Sequence, residues 1–126
     1  FLTIHPNPMQ KIKVGVVGTG FIGPAHIEAL RRLPNVEVAA LCEVTPELAA
    51  AKAASLGIER ACTFDELLKM DDIQAVHICT PNFLHYAQSK AVLEAGKHCV
   101  CEKPLAKDLH EAEELVELAA KTGLVN

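Results

Sequence analysis

Three glycines in a fixed spacing, Gly18-Thr19-Gly20-Phe21-Ile22-Gly23, stand between a β-branched run, Ile12-Lys13-Val14-Gly15-Val16-Val17, and a segment of helical periodicity from Ala25 to Leu33. A strand, a glycine turn and a helix in that order leave a chain few folds to adopt. The first glycine serves a tight turn, the second a close approach of backbone to a pyrophosphate, and the third close packing of helix on strand. The N–H groups that open the helix, together with the positive end of its dipole, then make an anion site. Pro24 lacks an N–H, which removes one donor from the first turn and predicts a helix that begins a residue or two late.

The same alternation runs on to the C-terminus. Pro34-Asn35 stops the first helix, and a second strand is expected over Val36 to Cys42. Thr45 as N-cap and Pro46 at the first helical position predict an alanine-rich helix that Gly57 ends. Ala61 to Phe64 reads as a short strand, and Thr63-x-x-Glu66 resembles a capping box opening a helix toward Met70. A fourth strand, Ala75 to Cys79, breaks at Thr80-Pro81-Asn82, after which Leu84, Ala87, Ala91 and Ala95 recur at helical spacing until Gly96. A fifth, His98 to Cys101, runs into Glu102-Lys103-Pro104, and Asp108-x-x-Glu111 opens a last helix ending near Gly123.

Short strands alternating with amphipathic helices predict an α/β fold with a doubly wound parallel sheet, a Rossmann-type dinucleotide-binding domain over residues 11–126. Residues 1–10 contain His5, Pro6, Asn7 and Pro8 and have no period. They are expected to be a leader outside the fold, with Met9 as the natural start. Leu124-Val125-Asn126 reads as the start of another strand, so the chain is expected to be the first part of a larger architecture.

Composition removes several other classes. With 12 basic against 16 acidic residues and a net charge of -4, the chain has no cationic stripe, so nucleic acid is not an expected partner. Aromatic residues are only 4% and Trp is absent, which leaves no platform for stacking bases. No apolar run approaches the roughly 20 residues that span a bilayer, and no basic segment followed by an apolar one opens the chain. No membrane partner is expected, and the cytoplasm is the expected location. Cys42, Cys62, Cys79, Cys99 and Cys101 are odd in number and lie in apolar runs, which fits buried thiols in a reducing compartment. Cys99 and Cys101, with His98 beside them, lack a second ligand pair, so no metal site is expected.

Glu43 closes the second strand about 20 residues after Gly23, the separation at which an acidic side chain meets the adenosine ribose hydroxyls. With no Arg or Lys beside it in the sequence, this favours NAD over NADP. A solvated glutamate at a strand end is the alternative.

Val14 to Gly23, Cys42-Glu43, Thr80-Pro81-Asn82 with His85, and Ala95-Gly96-Lys97-His98 leading to Cys101-Glu102-Lys103-Pro104-Leu105-Ala106 carry a resemblance. Over nearly all of residues 11–126 the chain resembles the N-terminal domain of the glucose-fructose oxidoreductase, inositol dehydrogenase and rhizopine-catabolism (Gfo/Idh/MocA) family. The Glu-Lys-Pro string is its most discriminating part. The resemblance implies that Thr80, Pro81, Asn82 and His85 lie along the cofactor toward its nicotinamide ribose. It also implies that Glu102 faces the same part and that Lys103 points at the junction of nicotinamide and substrate. Both strings fall just past the carboxyl ends of strands, where open α/β sheets bind ligands.

Cofactor contacts are therefore expected from Gly18, Thr19, Gly20, Phe21, Ile22, Gly23, Glu43, Thr80, Pro81, Asn82, His85, Glu102 and Lys103, with Lys103 also the catalytic residue. Read without the resemblance, Asn82 suits a helix N-cap, His85 a half-buried helix histidine and Lys103 a loop lysine. His26, His77 and His110 are read as structural.

The implied function is that of an NAD-dependent oxidoreductase transferring a hydride between nicotinamide and a hydroxyl-bearing carbon of a sugar, cyclitol or related polyol. The family's further acid–base groups come from a C-terminal α/β domain absent from this sequence, which would also carry homo-oligomer contacts; the chain alone is expected to be inactive. A non-catalytic dinucleotide-binding regulatory module and an NAD-dependent glycosidase of the same fold are the alternatives. A lysine beside the nicotinamide speaks against the first, and residues after Asn126 would separate all three.

Overall fold

Nearly unbroken apolar runs in short strands signal a sheet covered on both faces. In the computed structural model, which describes residues 10–126, five strands carry those runs. They are β1 (Ile12–Val17), β2 (Val36–Cys42), β3 (Arg60–Cys62), β4 (Ala75–Ile78) and β5 (His98–Cys101), all parallel, in the order β3-β2-β1-β4-β5. Between them run α1 (Gly23–Arg31), α2 (Pro46–Leu56), α3 (Phe64–Leu68) and α4 (His85–Glu94), and α5 (Leu109–Thr122) follows β5. The sheet is the doubly wound Rossmann-like one that the sequence implies.

Each face has its own core. Ile27 and Leu30 of α1 and Ala49 and Ala53 of α2 pack on Val14, Val16 and Leu41. On the other face, Leu67 of α3, Val92 and Leu93 of α4 and Ala119 of α5 pack with Val17, Val76 and Ile78. The helix ends follow local chemistry. Thr45 accepts from the Leu48 N–H at 3.2 Å, and Thr63 and Glu66 form both halves of a capping box. Asp108 accepts from the Glu111 N–H at 2.9 Å, while Glu111 takes the N–H of Lys107 instead of the cap's.

Several boundaries differ from expectation. α1 begins at Gly23 with Pro24 in its first turn, where a missing N–H forfeits no helical bond, so the proline does not delay the helix. β3 stops at Cys62 because Thr63 turns away to cap α3 and Phe64 is already helical. β4 stops at Ile78, although the Cys79 N–H still reaches the Val17 carbonyl at 2.8 Å. α3 ends at Leu68, short of Met70.

The buried side of α4 is His85, Ser89, Val92 and Leu93, not the stripe from Leu84 to Ala95. Alanines fit either face of a helix, and the larger Val92 and Leu93 decide which face is covered. Leu124 to Asn126 is not a strand, yet the Cys99 N–H at the outer edge of β5 donates to the Val125 carbonyl at 3.0 Å. The expected leader falls, apart from Gln10, outside the described residues. Among the described residues no helix is long and apolar enough to cross a membrane.

Candidate functional site

The chain leaves β1 toward β2 on one side and later returns to β4 on the other, so the loops after β1 and β4 part and leave a crevice at the carboxyl ends of the strands. A cleft of about 900 Å³ occupies it. Its walls are the glycine turn after β1, Cys42-Glu43-Val44 after β2, Thr63 and Phe64 after β3, Cys79-Thr80-Pro81 after β4, and Glu102-Lys103 after β5. Every strand end contributes.

The three glycines differ as their spacing implies. Gly18 sits at φ +88°, with the Cys79 carbonyl oxygen 3.0 Å from where a Cβ would stand. A Cβ on Gly23 would overlap the Gly18 carbonyl, so α1 is seated directly on the turn. At Gly20 a Cβ would meet nothing within 4 Å, and bare backbone faces the cleft. α1 has no side-chain cap and no acidic residue in its first turn. The Gly18 N–H is used by the Cys42 carbonyl at 2.9 Å. Those of Gly20, Phe21 and Ile22 have no partner among the described residues, which suits them to an anion. The Phe21 side chain, 99% exposed, stands at the cleft mouth.

Glu43 lines the cleft at the end of β2, but it is already engaged. Its Oε1 accepts from the Thr19 N–H at 2.6 Å and the Thr19 hydroxyl at 2.5 Å, and its Oε2 from the Val44 N–H at 3.2 Å. Thr19, buried, thus directs both donors to Glu43 and keeps neither for a ligand. Lys52 of α2 lines the same cleft. The cleft therefore contains a cation that the residues next to Glu43 in the sequence do not reveal.

At the opposite end the Thr80 hydroxyl donates to Gln88 Oε1 at 2.6 Å. Asn82 is exposed, opens a 3₁₀ turn (Asn82–Leu84), caps no helix with its side chain and does not line the cleft. His85 lies behind the wall, 1% exposed. Its Nδ1 is 2.6 Å from the Pro104 carbonyl and its Nε2 is 2.8 Å from that of Thr80, so it ties the turn after β4 to the loop after β5. Gly23 is likewise outside the lining. Lys103 lines the cleft and gives its backbone N–H to Glu102 Oε2 at 3.1 Å.

Behind Glu102 stand two histidines whose joint position no local pattern reveals. His26 Nε2 is 2.8 Å from Glu102 Oε1, and His26 Nδ1 is 2.9 Å from His77 Nδ1. The hydrogen bond from His26, then that from the Lys103 N–H, hold the Glu102 carboxyl below its ordinary range. Burial, then the facing His26, push His77 down to about 4. The signal available in the sequence was that His26 falls in the first turn of α1, three residues past Gly23. Burial also pushes the thiols of Cys42 and Cys79, which line the cleft, up to about 12, so neither supplies a thiolate. The arrangement can hold an elongated anionic ligand across its centre, accept hydrogen bonds at one end, and present an ammonium beside a carboxylate at the other.

Comparison with known proteins agrees with this geometry. A family model described as an oxidoreductase family with an NAD-binding Rossmann fold matches residues 12–126. Levoglucosan dehydrogenase of Pseudarthrobacter phenanthrenivorans is 35% identical over 94% of this chain and 33% of its own length. An inositol 2-dehydrogenase/D-chiro-inositol 3-dehydrogenase of Lactiplantibacillus plantarum is 37% identical over 88% of this chain and 33% of its own. A solved levoglucosan dehydrogenase, in complex with NADH and levoglucosan, superposes with a TM-score of 0.88 at 34% identity, over 92% of this chain and 34% of that one. The chain spans about a third of the length of the curated relatives it matches.

Proposed function

This chain belongs to the Gfo/Idh/MocA oxidoreductase family, and we propose that residues 11–126 are the dinucleotide-binding part of an NAD-dependent dehydrogenase acting on a hydroxyl-bearing carbon of a sugar, cyclitol or related polyol. The observation that carries the reading is the open backbone at Gly20, at the head of an uncapped helix, in the middle of a cleft of dinucleotide size. Those features fit a pyrophosphate.

In this reading the N–H groups of Gly20, Phe21 and Ile22 hold the pyrophosphate, and Glu43 accepts from the adenosine ribose once its Thr19 contacts loosen or are shared. Thr80 and Pro81 border the nicotinamide half, with Asn82 beyond them and His85 holding their turn from behind. The bound cofactor supplies the redox chemistry. Lys103 places an ammonium where an alkoxide develops on the substrate, and either stabilises that charge or relays the proton that the hydroxyl gives up. Levoglucosan and inositol dehydrogenases among the relatives support a polyol or sugar as substrate.

Calorimetric titration of the chain with NADH tests the reading. One saturable site, lost in Gly20→Val, is the expected result. Absence of binding at millimolar NADH overturns it.

A further inference from the structure

We propose that His26 is the residue that positions the Glu102 carboxylate at the lysine end of the cleft, with His77 behind it fixing which nitrogen of His26 carries the proton. What Glu102 then meets rests on the dinucleotide reading; the hydrogen-bonded chain of three side chains does not.

An ionised carboxylate only accepts, so the His26 Nε2, 2.8 Å from Glu102 Oε1, must carry a proton. A neutral imidazole holds one such proton, which leaves His26 Nδ1 an acceptor and makes His77 Nδ1, 2.9 Å away, its donor. Burial and the facing imidazole keep His77 uncharged down to about pH 4, so its single proton is committed to that bond. Glu102 is the titratable group that meets the pair, and Lys103, Cys79 and Cys101 act on Glu102 in turn. Both thiols are pushed up by burial and stay protonated. Neither imidazole has another hydrogen-bond partner among the described residues.

The second oxygen of Glu102 accepts from the Lys103 N–H at 3.1 Å. The carboxylate is thus held from two sides, and it in turn holds the peptide that carries Lys103. Because His26 lies in the first turns of α1, the bond joins the helix that faces the cleft centre to the loop that bears the lysine. Without His26 the carboxylate, already part-exposed, is free to rotate toward solvent.

Nitrogen NMR of the imidazoles in this chain near pH 7.5 reads the proton positions directly. His26 protonated at Nε2 and His77 at Nδ1 is expected; the opposite tautomer of either ring overturns the proposal. Titration with NADH and with ADP, which lacks the nicotinamide half, reads the consequence. His26→Leu should weaken NADH roughly threefold to tenfold, the worth of one ordinary hydrogen bond, and leave ADP within about twofold. His26→Gln, whose amide can donate to the same carboxylate, should recover most of the loss. Equal weakening of both nucleotides, or of neither, overturns the positioning role. A parent chain that binds neither nucleotide overturns the dinucleotide reading instead, and the tautomers then decide this one.

Discussion

One oxygen of Glu43 takes both donors of Thr19, the backbone N–H at 2.6 Å and the hydroxyl at 2.5 Å. The carboxylate at the end of β2 is thereby fastened to the glycine turn at the end of β1. Its negative charge is fixed at the end of the cleft proposed to take the adenosine, where a 2'-phosphate about 4 Å away would meet roughly 1 to 4 kcal/mol of repulsion. Lys52, which lines the same cleft, carries the opposite charge. At low salt the chain should prefer NAD to NADP by about fivefold or more. Glu43→Gln should shrink the preference and Lys52→Ala should enlarge it. Equal dissociation constants for the two cofactors in the parent chain would show that Glu43 does not set the preference.

Gly20 and Gly23 should separate binding from folding. A side chain at Gly20 meets open space in the free chain, so Gly20→Val should melt near the parent and fail to bind NADH. Gly23→Ala drives its methyl into the Gly18 carbonyl and should cost about 1 to 3 kcal/mol of stability. Denaturant melts beside calorimetry check both. Undiminished NADH affinity in Gly20→Val would remove this turn from the site.

Lys103 should matter to turnover more than to binding. In a longer form of the protein that turns substrate over, Lys103→Ala should lower turnover roughly a hundredfold or more while NAD affinity stays within a few-fold. Wild-type turnover in that variant, at a rate shown to be limited by the chemical step, would leave the lysine a structural part of its loop.

His77 gives stability a pH dependence whose sign follows from its depressed value. The unfolded chain takes up a proton near 6.5, whereas the folded chain does not until about 4, so lowering the pH through that window favours unfolding. After discounting for partial exposure, the loss attributable to His77 is about 1 kcal/mol by pH 5. Urea melts at pH 7 and pH 5 should show it, and His77→Gln should remove most of that part of the pH dependence. An unchanged slope in the variant would mean that His77 titrates normally in the folded chain.

Much of the fold was legible because its signals act over a few residues. Thr45, Thr63 and Asp108 cap the helices they precede, and Gly57 and Gly123 end α2 and α5. Where local signals compete, the boundary moved: Thr63 cannot both extend β3 and cap α3, and the cap prevails. The periodicity of α4 located the helix but not its buried face. Alanine gains little from burial, so the face was chosen by the larger Val92 and Leu93.

The cleft was legible at its strand ends but not in its pairings. His85 was expected along the cofactor and instead lies between the carbonyls of Thr80 and Pro104, a place set by the approach of two loops, 5 and 19 residues from it. Lys52 and the His26–His77 pair carry no motif of their own.

The sequence by itself determined the order of elements, the glycine turn and the lysine loop, because glycine spacing, caps and apolar periodicity are properties of neighbouring residues. Only the tertiary structure decided what Glu43 and Glu102 do with their oxygens. Their partners are 24 and 76 residues away, at Thr19 and His26, and His26 meets His77 across 51. Such contacts exist only once the parallel sheet has laid β1 between β2 and β4 and set β5 beside β4, since no local preference can bring a strand end to a residue so distant in the chain.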